Sequence, residues 1–98
     1  MTNRFTFQFE ALLQKLHSQN HDIEKNLYTL HFDQARLAIK IPFLTHEEYS
    51  KAINRLEVIK KDIHNQKHEL AKVNTKIKET ENTLHDLRKK DEKPLQDS

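Results

Sequence analysis

The chain has 98 residues with no glycine and no cysteine, and a third of its residues are charged although the net charge is only +2. That length allows at most one small domain. The missing residue types argue against glycine-rich phosphate-binding loops, tight β-hairpin turns, disulfides and thiolate metal sites, and the balanced charge is unlike the basic stripe of a dedicated nucleic-acid binder.

The first predicted element is a helix over about residues 4–41, because apolar residues recur in it at alternating spacings of three and four. The positions of this repeat, of which Asn20 and Gln34 are polar, are Phe9, Leu13, Leu16, Asn20, Ile23, Leu27, Leu30, Gln34, Leu37 and Ile41. This spacing is typical of the buried seam of a coiled coil. Residues 28–32 and 37–43 also alternate apolar and polar, so a short β-hairpin over 27–43 is an alternative.

The boundary between the helices is predicted from Pro42, which cannot continue the first helix, and Thr45, which suits the N-cap of a second. Glu48 stands three positions later and can close a capping box. The second helix is predicted over about residues 46–90 with a seam of its own: Tyr49, Ala52, Leu56, Ile59, Ile63, Gln66, Leu70, Val73, Ile77, Thr80, Leu84 and Leu87. Residues 91–98 are predicted to be a disordered tail.

Two such seams joined by a short connector predict an all-α, antiparallel two-helix hairpin that resembles a coiled coil and is open to self-association. Folding the chain back symmetrically at Phe43 places Asn20 opposite Gln66, where two buried amides would satisfy each other. The same alignment leaves Leu84 and Leu87 without a facing residue on the first helix.

A second apolar side is predicted on the first helix, facing away from the seam, at Tyr28, Phe32, Ala35 and Ile39. A helix that is apolar on two sides is usually covered on two sides. Either a second copy of the chain covers this side, as in a homodimer, or it is a groove for a different partner with aromatic anchors.

Metal and catalytic sites are not expected. The pairs His17 with His21 and His64 with His68 have a spacing that can bind zinc, but the heptad pattern points them mostly to solvent. No Ser, His, Asp or Lys set converges, and a two-helix hairpin offers no pocket to desolvate a base. We expect no enzymatic activity and no cofactor.

A binding site is predicted where two guanidinium groups flank an exposed aromatic ring. The symmetric alignment puts Arg55 level with His31 and beside Phe32, and Arg36 lies one turn along. Such a group suits an acidic peptide that ends in an apolar side chain and a carboxylate, although two ordinary surface arginines are the alternative. The candidate partner-binding residues are Arg55, Arg36, Phe32, Tyr28 and Ile39.

The segment HEEYSKAINRLEVIKKDIHNQKHELAKV, residues 46–73, resembles the end of the bacterial primosomal replication-restart protein PriC. The resemblance rests on Arg55-Leu56, on Ile59 three residues later, and on the closing run of residues 70–73, Leu-Ala-Lys-Val. The family has a cysteine where this chain has Ile59. Its earlier aromatic-acid-basic-basic segment is matched only in part, and its amino-terminal domain has no counterpart here.

The resemblance implies that Arg55 lies in a pocket for the carboxyl-terminal tail of single-stranded DNA-binding protein, and that the chain aids loading of the replicative helicase. The alternative function is a structural coiled-coil adaptor or small chaperone that acts through a dimeric helical interface. Nonspecific DNA binding is disfavoured by the near-neutral charge. No apolar run approaches about 18 residues and no signal peptide is evident, so we expect a cytoplasmic protein without a membrane span.

Overall fold

The computed structural model describes residues 4–92 as two long helices joined by a short turn. Helix α1 covers Arg4–Lys40, a 3₁₀ turn covers Ile41–Phe43, and helix α2 covers His46–Glu92. The two helices pack against each other, which confirms the predicted all-α hairpin. No strand occurs between residues 4 and 92, so the β-hairpin alternative is wrong. The predicted tail lies, from residue 93 onward, outside the described residues.

The connector has the chemistry that Pro42 and Thr45 predict. Pro42 lies within the 3₁₀ turn, and the N–H of Leu44 donates to the carbonyl oxygen of Ile41 at 3.2 Å. The capping box is confirmed: the N–H of Glu48 donates to Thr45 Oγ1 at 3.4 Å, and the N–H of Thr45 donates to Glu48 Oε2 at 3.2 Å. These reciprocal bonds satisfy two donors that the start of a helix leaves unpaired.

The hairpin comprises two compact units, and the first, Asp22–Leu70, contains the bend. Its core is a cluster of Leu27 from α1 with Ile59 and Ile63 from α2. Partly buried side chains pack against this cluster: Ile23, Leu30, Leu37 and Leu70. All seven belong to the predicted seams, so in this unit the heptad pattern identifies correctly which side of each helix is covered.

The second unit pairs, among the described residues, 4–21 with 71–92. Its buried positions also follow the heptad: Leu16, Val73, Ile77, Thr80 and Leu84. Thr80 fits in an apolar seam because its hydroxyl donates to the carbonyl oxygen of Lys76 at 2.7 Å, within its own helix. Leu84 is 2% exposed, so the prediction that it has no facing residue on α1 is wrong.

The alignment of the two helices differs from the symmetric one. The side-chain amide of Asn20 donates to Asn74 Oδ1, eight residues beyond the predicted partner Gln66. Further out in the same unit, Arg88 Nη2 donates to Glu10 Oε1 at 2.9 Å. The predicted pair of Asn20 with Gln66 is therefore wrong. The Gln66 side-chain oxygen is instead buried without a hydrogen-bond partner in the described part of the chain.

Candidate functional site

A cleft beside the bend contains both arginines that were predicted from the sequence to bind a partner, Arg36 and Arg55. It is an open depression of about 200 Å³ within the unit Asp22–Leu70. Its lining comprises four residues of α1 and one of α2: Asp33, Arg36, Leu37, Lys40 and Arg55. A cleft of this size is below the roughly 300–1,000 Å³ typical of small-molecule sites, and suits one side chain or one carboxylate.

The spacing of the α1 residues explains why they share this cleft. Asp33, Leu37 and Lys40 stand at i, i+4 and i+7, which places them on one side of a helix. Leu37 belongs to the seam and packs against the core cluster, so the cleft has an apolar floor. Arg55 comes from the third turn of α2, whose start is held by the Thr45 capping box.

The electrostatic balance of the cleft is positive. Three cations, Arg36, Lys40 and Arg55, share the lining with one carboxylate, that of Asp33. Among residues 4–92 no ion pair involves any of these four groups. Cations without an ion-pair partner around a small apolar floor favour an anionic ligand with an apolar part. A carboxylate of such a ligand would accept charge-assisted hydrogen bonds that no acidic side chain accepts within the described chain.

Phe32 joins this cleft through Arg36 and not as part of its lining. The Arg36 guanidinium lies 5.9 Å from the centre of the Phe32 ring, within cation–π range. The ring itself is 54% exposed. Stacking restricts the arginine side chain and leaves its outer N–H groups available, which is a favourable arrangement for binding a carboxylate.

The other two predicted site residues lie elsewhere on α1. Tyr28 and Ile39 are 75% and 70% exposed, and neither lines the cleft. Their helical positions, together with Phe32 and Ala35, form the predicted second apolar side, here named the outer stripe. The cleft therefore contains Arg36 and Arg55, Phe32 contacts it through Arg36, and Tyr28 and Ile39 lie outside its lining.

Two features of the cleft differ from the sequence prediction. Arg55 lines the cleft with Leu37 and Lys40, whereas the symmetric alignment put it level with His31. Lys40, in the last turn of α1, also lines the cleft and is not among the residues predicted from the sequence. The sequence feature that indicates its position is the spacing of seven residues from Asp33, because this spacing places Lys40 and Asp33 on the same side of α1, facing α2.

The histidine pairs do not form a metal site in the structure. His17, His21, His64 and His68 are all exposed. Between residues 4 and 92, no group of three or more His, Asp or Glu side chains is arranged to hold a metal ion. The four imidazoles therefore remain surface groups of the helices.

A second, amide-rich cleft of about 370 Å³ lies in the same unit. Its lining is Asn26, Thr29, Leu30, Asp62, Asn65 and Gln66. Asp62 is its only charged group, and it is negative. This cleft consequently lacks the positive charge that distinguishes the one near the bend.

Comparison with known proteins gives no family for the chain. No family model, curated protein or solved structure matches it. Within the described helices, none has a stretch that is both long and apolar enough to cross a membrane. The geometry of the cleft and the resemblance of residues 46–73 are thus the basis for a functional proposal.

Proposed function

We propose that the protein is a non-enzymatic binding module whose cleft near the bend takes the carboxyl-terminal end of an acidic peptide. By its resemblance to PriC, the peptide is the tail of single-stranded DNA-binding protein, and the module is a minimal replication-restart factor that helps bring a helicase to a stalled fork. The observation that carries the proposal is the convergence of Arg36, Lys40 and Arg55 without an ion-pair partner among residues 4–92.

The dimensions of the cleft favour a chain end over the middle of a peptide. Its volume of about 200 Å³ accommodates one apolar side chain above Leu37. A terminal carboxylate placed there would lie among three cations, and each charge-assisted hydrogen bond contributes about 1.5–3 kcal/mol. Acidic side chains further from the end would interact with the remaining positive charge. Phe32 supplies an exposed ring beside Arg36 for additional apolar contact.

Titration of a fluorescently labelled peptide with the tail sequence tests this proposal through its anisotropy. Arg55→Glu removes one charge-assisted bond and adds a repulsive charge, so we expect affinity to fall by about 10- to 100-fold. Lys61→Glu is the matched control: it makes the same charge change on α2, at an exposed position outside the cleft, and should leave affinity within about threefold.

The peptide offers its own control. An otherwise identical peptide with an amidated carboxyl end should bind as weakly as the unmodified peptide binds to Arg55→Glu, because the terminal charge is gone. Equal affinity of wild type and Arg55→Glu would remove the proposed site. Equal affinity for the acid and the amide would remove the chain-end interpretation.

A further inference from the structure

The amide-rich cleft includes one side chain whose hydrogen bonding is incomplete. Gln66 lines this cleft, and its Oε1 is buried without a hydrogen-bond donor in the described part of the chain. A buried polar atom without a partner lowers the stability of the folded state, so such atoms are rare in proteins and often belong to functional sites. Because this oxygen has no hydrogen bond to lose, the Gln66 side chain can turn toward the cleft when a donor is present there.

The other polar side chains of the cleft also have unused acceptor atoms. Asn26 and Asn65 form no side-chain hydrogen bond within the described helices. The Thr29 hydroxyl donates to the carbonyl oxygen of Lys25 at 3.2 Å, which leaves its own lone pairs available. Asp62 is exposed and takes part in no ion pair within these helices. Every polar side chain of the lining can therefore accept a hydrogen bond, and one carries a full negative charge.

The amide-rich cleft is equivalent in position to the cleft near the bend, one heptad further from it. A step of seven residues toward the bend converts one lining into the other: Asn26 into Asp33, Thr29 into Arg36, Leu30 into Leu37, and Asp62 into Arg55. The two clefts therefore lie on one side of the unit Asp22–Leu70, about 10.5 Å apart along the helices. Leu30 also packs against the core cluster and gives the amide-rich cleft an apolar floor. The same niche thus has opposite net charge at its two levels.

We propose that the amide-rich cleft binds a guanidinium group, presented by an arginine side chain of a partner protein. This inference goes beyond the proposed peptide binding, uses other residues and does not depend on it. A guanidinium has five N–H donors, no acceptor and a permanent positive charge, so it matches a lining of acceptors around one carboxylate. Asp62 would accept two of these donors side by side. The side-chain oxygens of Asn65 and Gln66 would accept others, and the aliphatic part of the arginine would pack on Leu30.

The lining disfavours other classes of ligand. An anion would meet the Asp62 carboxylate without any cation in the lining to offset it. A metal ion is disfavoured because no group of three or more His, Asp or Glu side chains within residues 4–92 is arranged to hold one. An ammonium group has its three donors on one atom, whereas a planar guanidinium can reach acceptors on both helices at once. The volume of about 370 Å³ lies in the range of roughly 300–1,000 Å³ that is typical of small-ligand sites.

Titration with N-acetyl-arginine-amide, in which only the side chain is charged, tests the proposal by ¹H–¹⁵N NMR. The side-chain NH₂ signals of Asn26, Asn65 and Gln66 report directly on the cleft. We expect them to shift and saturate with a Kd of about 1–10 mM, because the site is open and the ligand is small. The citrulline derivative is the matched control ligand: it has the same shape without the charge, and should bind at least about 10-fold more weakly.

Substitutions in the cleft test which side chains bind the ligand. Asp62→Asn keeps the shape of the side chain but removes its charge, and should weaken binding by about 10-fold. Asp86→Asn is the matched control: it makes the same change at an exposed position of α2 outside the cleft, and should leave the Kd within about twofold. Gln66→Leu should weaken binding by about threefold or more. It should not lower the urea midpoint, because it also removes the unpartnered oxygen.

Two further ligands test the chemical class. N-acetyl-lysine-amide should bind at least about fivefold more weakly than the arginine derivative, since its ammonium lacks the planar fork of donors. Free arginine should bind no more tightly than the blocked derivative, because its α-carboxylate has no cation in the lining to contact. Tighter binding of free arginine would assign the cleft to a small molecule and would overturn the assignment to a protein side chain.

Four outcomes would overturn the guanidinium site: equal affinity for the arginine and citrulline derivatives, equal affinity for the arginine and lysine derivatives, wild-type affinity in Asp62→Asn, or an equal loss in Asp86→Asn. Wild-type affinity in Gln66→Leu would remove Gln66 from the site. Far-UV circular dichroism establishes that each variant keeps wild-type helicity. Arg55→Glu should lose peptide binding without weakening the binding of N-acetyl-arginine-amide, so failure of one proposal is distinguishable from failure of the other.

Discussion

Replacement of Leu84 by alanine tests the alignment of the two helices directly. Leu84 is 2% exposed, so the substitution removes three fully covered carbon atoms. At about 0.8 kcal/mol for each buried CH₂ group the lost transfer energy is roughly 2.4 kcal/mol, and the residual cavity raises the cost to about 3 kcal/mol. In a chain of this size that corresponds to a fall in Tm of about 12–24 °C.

Urea denaturation followed by far-UV circular dichroism measures this loss in the free energy of unfolding. Val58→Ala is the control, because Val58 is 57% exposed and its truncation should change the free energy of unfolding by no more than about 0.5 kcal/mol. If Leu84→Ala and Val58→Ala lower the free energy of unfolding by the same amount, α1 does not cover Leu84. The symmetric alignment, in which this residue has no facing partner, would then be the better description.

Three smaller predictions concern hydrogen bonds. Each cost given below is a loss in the free energy of unfolding, measured by urea denaturation. Thr45→Ala should cost about 1 kcal/mol through loss of the capping box, whereas Thr45→Ser should cost much less; equal losses would contradict the capping role. Asn20→Leu should cost no more than about 1 kcal/mol, because Asn74 is exposed and water can pair with the amide that the substitution leaves; a larger loss would indicate that the amide pair is shielded from water. Arg88→Ala should cost less than about 1 kcal/mol, and the cost should vanish in about 1 M salt, since its bond to Glu10 is exposed; a salt-independent loss would indicate that packing matters more than charge.

The covered side of each helix could be predicted from sequence because burial follows the heptad directly. Leu27, Ile59 and Ile63 form a core where the spacing indicates one, and Thr45 and Glu48 form the capping box that their separation predicts. The level at which the helices face each other could not be predicted in the same way. A heptad seam looks nearly the same after a shift of seven residues, so several alignments cover the same side chains.

The connector determines which of these alignments is adopted. Lys40 and His46 stand at equal distances from Phe43, but the 3₁₀ turn Ile41–Phe43 prolongs the first arm and the chain becomes extended only at Leu44, so the bend is centred after Phe43. With that connector, Leu37 shares a cleft with Arg55 and not with Tyr49. The changed alignment also determines which residues line the candidate site. Arg36 and Arg55 could be selected from sequence as cations near an aromatic ring, whereas Lys40 could be added only once the alignment was known.

The position of the Asn20–Asn74 pair has a consequence for how such a chain can change its length. The cleft near the bend uses residues 33–55 only, and the amide pair lies in the other unit. Deleting seven residues from each helix, between the amide pair and the cleft, would preserve the heptad spacing of the apolar residues and keep the two amides facing each other. Natural variants with arms shorter or longer by matched multiples of seven residues should therefore keep the same cleft near the bend.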